Sequence, residues 1–294
     1  MKRSSRTFWL ILLICGSTGA CERHRYTASN QIRPHYTLGP PWQSDGYWFY
    51  PIEEPSYDAT GLAVIDARRT QAWPVTADGE PYDPAVPAAA HQTLQLPVVL
   101  HVRNLENGLE IVLRVNDRGP ASPGRLLSLT PHAAQLLRMV PGQSTRVHVV
   151  EDERLSRLLL LQLDGAPVPD VVAAPVAAVQ EQSLMPGRNS GGTARDILPP
   201  QEHVGSDPSK QLGEAITMGA ADPGRLWIDA GHFNQPGYAR HLAALLTGAV
   251  RQEGRGRSSS FSVRVGPFDL TADADAALDR ARSAGVTGAR IIVE

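Results

Sequence analysis

The run Val98-Val99-Leu100-His101-Val102-Arg103, the turn Leu105-Glu106-Asn107-Gly108 and the run from Ile111 to Val115-Asn116-Asp117-Arg118-Gly119-Pro120 decide the fold. Val98, Leu100 and Val102 alternate with Val99, His101 and Arg103, and Ile111, Leu113 and Val115 resume the same period of two. Asn-Gly between two alternating runs is a hairpin signal, because both residues tolerate positive φ. Continued alternation puts Asp117 on the apolar face of Ile111, Leu113 and Val115, with Arg114, Asn116 and Arg118 on the other. An aspartate on such a face is desolvated, which favours its protonated form and suits a general acid. Gly119-Pro120 ends the strand, since proline has no amide to donate. Upstream stand Thr76-Ala77-Asp78-Gly79-Glu80 and Ala89-Ala90-His91, so one short domain carries an acid, a histidine and a second carboxylate.

The rest of the chain is organised around this segment. From Tyr57 to about Glu151, short β-like runs alternate with turns, which indicates a compact β domain. Thr130-Pro131 predicts a helix start, with Ala133, Ala134, Leu136 and Leu137 as its packed face. Thr145 to Val150 returns to strand, and Arg157 to Leu163 is expected to add another. Before the domain, Tyr36 to Pro55 is dense in aromatics and prolines, including Trp42, Tyr47, Trp48, Phe49 and Tyr50, and reads as an irregular wrap. After it, residues 165–223 shift to Pro, Ala, Gly, Ser and Gln. That composition reads as a flexible linker whose reach, on the order of 40 Å, frees the flanking domains from touching.

Order returns at Arg225 to Ala230, a strand. A helix over Gln235 to Val250, a strand at Phe261 to Val265, a helix over Ala272 to Ala284 and a last strand at Ala289 to Glu294 follow, with a further strand expected near Gly254 to Ser259. Such a domain is a small sheet with both helices on one face.

The N-terminus sets the compartment. Lys2, Arg3 and Arg6 precede the apolar run Phe8 to Ile14, too short to span a bilayer, and small residues lead to Cys21. Residues 1–20 thus read as a signal peptide, and Thr18-Gly19-Ala20-Cys21 resembles a bacterial lipobox, which marks Cys21 for lipidation and membrane attachment. The only other cysteine, Cys15, lies inside the signal, so the mature chain has no intramolecular disulfide. A net charge of −2 over 294 residues offers no electrostatic footprint for nucleic acid. The nine histidines are scattered without His-Glu-x-x-His spacing, and no phosphate-cradling glycine loop or Gly-x-Ser-x-Gly elbow occurs, so neither a metal nor a cofactor is expected.

The middle domain resembles the rare lipoprotein A family of bacterial peptidoglycan lytic transglycosylases, built on a double-psi β-barrel. The resemblance rests on Tyr57 to Ala63, Arg68-Arg69-Thr70, Thr76 to Asp83, Ala88 to Leu96, Arg103 to Gly108 and Val112 to Pro120. The terminal segment resembles a SPOR domain through Arg264-Val265-Gly266-Pro267-Phe268 and Gly231-His232-Phe233. Together they imply a mainly β protein: a tether and wrap over residues 21–55, a double-psi β-barrel over 56–152, the linker over 165–223, and a small α+β, ferredoxin-like SPOR domain over 224–294.

Carried over residue by residue, the resemblance makes Asp117 the catalytic acid, His91 its companion histidine and Glu80 an additional carboxylate. Asn116, Arg118 and Tyr82 around the acid, with Trp227 and Arg264 on the terminal domain, are candidate substrate contacts. The implied substrate is the peptide-free glycan strand, cleaved between N-acetylmuramic acid and N-acetylglucosamine with formation of 1,6-anhydro ends by an outer-membrane lipoprotein at the division septum. Two positions depart from the family pattern: Ala63 to Ala67 stands where an aromatic Trp-Tyr-Gly run is usual, and Ser128 where an Asp is usual. Those departures are the features that favour the alternative, a non-catalytic septal peptidoglycan-binding lipoprotein.

Overall fold

The computed structural model describes residues 33–66, 75–163, 166, 212, 215–254 and 259–294. Cys21, Arg68 to Thr70 and most of the stretch read as linker lie outside the described residues.

The aromatic segment is more regular than expected. Asp45 and Gly46 take φ of 48° and 81°, the pair of positive values that closes a two-residue hairpin. β1 (Trp42–Ser44) and β2 (Tyr47–Phe49) pair antiparallel across that turn, and Trp42 stacks on Phe49 with centroids 4.5 Å apart. The hairpin is pinned to the next domain: Trp42 Nε1 donates to Gln92 O at 3.0 Å, and Thr37 and Leu96 exchange both backbone hydrogen bonds.

Six strands then close on themselves. β3 (Asp58–Ile65), β4 (Ala88–His91), β5 (Val98–Asn104), β6 (Leu109–Arg118), β7 (Leu127–Leu129) and β8 (Thr145–Glu151) run in the order β4-β7-β3-β8-β5-β6, and a β4–β6 pairing completes the barrel. β3–β7 and β4–β6 are parallel, the other pairs antiparallel. The expected hairpin is β5–β6, registered Leu100 to Leu113 and Val102 to Ile111. These four side chains, with Val115, Leu127, Leu129, Val147 and Val149, fill the barrel and are almost wholly buried. Gly108 closes the turn at φ 78°, and a Cβ there would stand 2.4 Å from Gly219 O, so both conformation and space require glycine.

Helices cap the barrel. α1 (Pro131–Leu136) starts where predicted, with Thr130 as N-cap accepting from Ala133 N. The strand expected over Arg157 to Leu163 is instead a helix, α2 (Glu153–Leu160), whose N-cap Asp152 accepts from Leu155 N at 2.8 Å. The covered positions Leu155, Ser156, Leu159 and Leu160 stand at three- and four-residue spacing, a period that the short apolar run disguised as a strand. α2 lies over β5: Ser156 Oγ takes Val99 N at 3.0 Å, so Val98, Val99 and Leu100 are all buried rather than alternating. Within the stretch read as linker, β9 (Ile216–Met218) pairs with Leu109 to Ile111 of β6. It covers the part of that strand's edge that β4, paired from Arg114 onward, leaves open.

The terminal domain reads β10 (Leu226–Phe233), α3 (Pro236–Leu246), β11 (Ala249–Glu253), β12 (Ser260–Phe268), α4 (Thr271–Ser283) and β13 (Arg290–Val293). Its antiparallel sheet is ordered β11-β12-β10-β13. Ile228 and Val265 pack with α4, and Ala230 and Val263 with α3, so both helices share one face. The helix expected to reach Val250 stops at Leu246, because Thr247 adopts left-handed φ 55° and Gly248 follows. The additional strand is therefore β11, earlier than expected.

Barrel and terminal domain are in contact. Leu62 and Leu105 of the barrel join Leu278, Ile291 and Val293 in one apolar cluster. Thr60 Oγ1 donates to Val293 O at 2.7 Å and accepts from Val293 N at 3.0 Å. Arg125 grips Asp275 with two hydrogen bonds, at 2.5 and 2.8 Å.

Candidate active site

Asp117 reaches its position through an irregularity in β6. The β4–β6 register runs Ala88 to Arg114 and Ala89 to Val115, then Ala90 to Asp117 and His91 to Arg118. One residue, Asn116, is skipped. Paired residues share a face and neighbours along a strand alternate, so this bulge turns Asp117 away from the face of Val115, where simple alternation had placed it. The carboxyl lies outside the barrel filling, on the side of Ala90 and Arg114. Both Asn116 and Asp117 remain buried.

The turn Thr76 to Glu80 folds over that bulge. Ala77 N donates to Asp117 Oδ1 at 2.9 Å, and Arg118 N donates to the same oxygen at 2.8 Å, fixing the carboxyl's orientation. Asp78 N donates to Asn116 O at 3.2 Å. Glu80 Oε2 accepts from Asn116 Nδ2 and Arg114 Nη2, both at 2.7 Å. One turn thereby holds both bulge residues, its Ala77 amide bonded to Asp117 and its Glu80 carboxylate to Asn116, with Arg114 balancing Glu80. Ser128 belongs to the same surface: it pairs with Ala90 from β7, and its Oγ lies 3.5 Å from where a Cβ on Gly119 would be.

His91 is next along the ladder but serves the other face. Its Nδ1 accepts from Thr93 N at 3.2 Å and Leu94 N at 3.1 Å. With Nδ1 occupied as acceptor, Nε2 carries the proton and donates to Tyr57 Oη at 3.1 Å. Burial, and secondarily the charge of Arg118, push the imidazole down to about 3, so it is neutral at physiological pH. Arg118 holds backbone: Nη1 donates to Leu94 O at 2.5 Å and Nη2 to Leu38 O at 2.7 Å. It clamps the 91–94 turn and the N-terminal segment. Tyr82 is half-buried beside the Glu80 turn.

One carboxyl group in the site was not singled out from the sequence. Asp78 is fully buried; its Oδ1 accepts from Thr76 Oγ1 at 2.6 Å and Glu80 N at 3.1 Å, while Oδ2 has no hydrogen-bond partner. Burial first, then the charge of Glu80, push it up to about 7, against the opposing hydrogen bonds and Arg114. The signal was present as Thr76-x-Asp78-x-Glu80, two carboxyls two residues apart in a turn that Gly79 closes at φ 91°.

On the terminal domain, Trp227 pairs with Ile292 and is half-buried. Arg264 is mostly buried and faces Asp229 at 3.8 Å and Glu294 at 3.6 Å. A cavity of about 770 Å³ contains Arg264 and His91 together.

Comparison with known proteins gives matches over both domains. Residues 61–150 match the family model described as Lytic transglycolase, and residues 222–291 match the SPOR domain. The chain is 28% identical over 257 residues to the endolytic peptidoglycan transglycosylase RlpA of Pseudomonas aeruginosa (strain UCBPP-PA14), covering 84% of this chain and 74% of that protein. RlpA of Escherichia coli (strain K12) is 38% identical over 125 residues, 41% of this chain and 34% of the relative. RlpA of Yersinia pestis is 46% identical over 74 residues, 25% of this chain and 20% of its own length. In its order of a transglycolase-type barrel followed by a SPOR domain, and in matching along most of its length, the chain is similar to the RlpA proteins.

Proposed function

We propose that this protein is an endolytic peptidoglycan transglycosylase of the cell envelope, cleaving glycan strands between N-acetylmuramic acid and N-acetylglucosamine. The observation that carries the reading is the pair of carboxyl groups, Asp117 and Glu80, held at the β6 bulge by the one turn over residues 76–80. Asp117, oriented by two backbone amides, donates a proton to the glycosidic oxygen as the C1–O bond breaks. The muramic C6 hydroxyl then closes on C1 and returns its proton to the Asp117 carboxylate. No water is consumed, and acid and base are one group because the proton lost is the proton recovered. Glu80 faces the positive charge that develops at the anomeric carbon, held in place by its ion pair with Arg114. His91, neutral and bonded to Tyr57, is a positioning residue for the 91–94 turn.

The finer reading follows the family resemblance: peptide-free strands as substrate, lipid attachment through Cys21 to the outer membrane, and enrichment at the septum. The experiment is digestion of peptide-free sacculi with the purified protein, reading anhydromuramic ends by mass spectrometry. Asp117→Asn is expected to lower the rate by at least about a hundredfold with an unchanged melting temperature. Full activity of that variant would reject the mechanism. Sedimentation with sacculi and no anhydro ends from the native chain would establish the non-catalytic alternative.

A further inference from the structure

The 770 Å³ cavity is built from three parts of the chain. The β1–β2 hairpin contributes Tyr47 and Trp48, the barrel Tyr57 and His91, and the SPOR domain Arg264, Arg282 and Arg290. Its size is that of a ligand site rather than a packing defect. Its charge is one-sided. Four arginines line it against two carboxylates, Asp58 and Glu294. Arg125 is matched by Asp275, Asp58 by His148 and Arg290 by Asp229 at 3.3 Å, so the imbalance comes down to Arg282 and the loosely paired Arg264.

Two of those guanidinium groups are incompletely bonded. Nε and Nη1 of both Arg264 and Arg282 are buried without a hydrogen-bond partner. The carboxylates nearest Arg264 stand at 3.6 and 3.8 Å, beyond hydrogen-bonding reach. Arg282 lies 4.4 Å over the Tyr47 ring, and its Nη2 makes a long 3.4 Å bond to Ala289 O. Buried donors left in this state carry a cost that an arriving acceptor removes, and a carboxylate matches the guanidinium fork. Beside them the Trp48 ring is 56% exposed at the cavity wall, a platform of the kind that sugar rings stack on.

We propose that this cavity is a joint binding site of barrel and SPOR domain for a sugar residue bearing a carboxylate, with Arg282 and Arg264 receiving the carboxylate and Trp48 the ring. The proposal rests on the glycan-strand reading above. In such a strand the sugar is N-acetylmuramic acid, and the carboxylate is that of its lactyl ether. The group exists only where no stem peptide is attached, because the peptide bond converts it to an uncharged amide. Selection of peptide-free glycan then arises from charge recognition in a cleft that both domains complete.

The test is calorimetric titration of the full chain with three tetrasaccharides. One is the peptide-free alternating N-acetylglucosamine–N-acetylmuramic acid, the second the same molecule with methylamidated carboxyls, the third the N-acetylglucosamine tetramer, which has no lactyl group. Stem peptide alone is the fourth probe, since its carboxylates offer the same chemistry from another source. The first tetrasaccharide is expected to bind about tenfold or more tighter than the other two, the scale of one charge-assisted contact. Arg282→Gln is expected to abolish most of that preference. Thr287→Glu, at an exposed position on the cavity lip, is expected to do the same without touching a core. Trp48→Ala is expected to weaken all three sugars alike. Equal affinity for the three, a preference that survives both Arg282→Gln and Thr287→Glu, or displacement by stem peptide overturns the proposal. Anhydro ends are scored in parallel. A chain that forms them without carboxylate preference overturns this inference and leaves the transglycosylase reading standing; preference without anhydro ends does the reverse.

Discussion

Burial disfavours the charged forms of both Asp78 and His91, with opposite consequences for stability. Asp78, raised to about 7, binds its proton more tightly folded than unfolded, where an aspartate titrates near 3.9. Its contribution to stability is full below about pH 4 and is lost as pH rises to 7. Asp78→Asn keeps the shape and removes that loss. The melting-temperature difference, variant minus native, is expected to grow between pH 4 and 7 and level off above, at about 3 °C per kcal/mol for a chain of this size. A flat difference would show that folding does not raise Asp78 above the ordinary aspartate value. His91 is lowered to about 3, so protonation favours the unfolded chain as pH falls below 6.5. Nitrogen-15 imidazole spectra are expected to show a neutral ring protonated on Nε2, with no titration between pH 5 and 8. The same state removes any His91 limb from the pH–rate profile in that range.

The elements of the barrel depend on caps that do double duty. Thr130 Oγ1 caps α1, accepts from Ala88 N at 3.1 Å and donates to Val86 O at 2.8 Å, joining the helix to β4. Thr130→Ala is therefore expected to cost about 2 kcal/mol in urea unfolding, the upper end for a cap, while Thr130→Ser retains most of the stability. Several elements were legible from the sequence because their signals are local. The alternating β5–β6 pair, the Asn-Gly turn, the Thr-Pro helix start and the SPOR helices all follow from neighbours within a few residues. α2 was misread because seven apolar-rich residues fit either period. The β1–β2 hairpin was missed although Asp45-Gly46 announced it, its aromatic flanks having suggested a wrap.

At the scale of the molecule, the seam between barrel and SPOR domain is the feature that composition least foretold. A long Pro- and Gly-rich segment leaves two domains free to separate, yet Leu62 and Leu105 complete the SPOR core and Arg125 grips Asp275. Gly124 lies at this seam with φ 73°, and a Cβ there would approach Leu278 Cδ2 to 2.5 Å. Gly124→Val is accordingly expected to split one calorimetric transition into two, the SPOR domain melting first. A single unchanged transition would mean that the domains unfold independently of the seam.

The amino-acid sequence alone determined the barrel hairpin, the two-domain order and the residue types of the site, because hydrophobic period, turn chemistry and motif spacing are written within short windows. It placed Asp117, Glu80 and His91 in one domain but not in their relation. Only the tertiary structure decided that the β6 bulge, visible solely through pairing with β4, turns Asp117 from the core toward Glu80. It likewise decided that His91 belongs to a cavity shared with the SPOR arginines. Register and docking depend on partners far along the chain, and no local pattern encodes which residue is skipped or which faces meet.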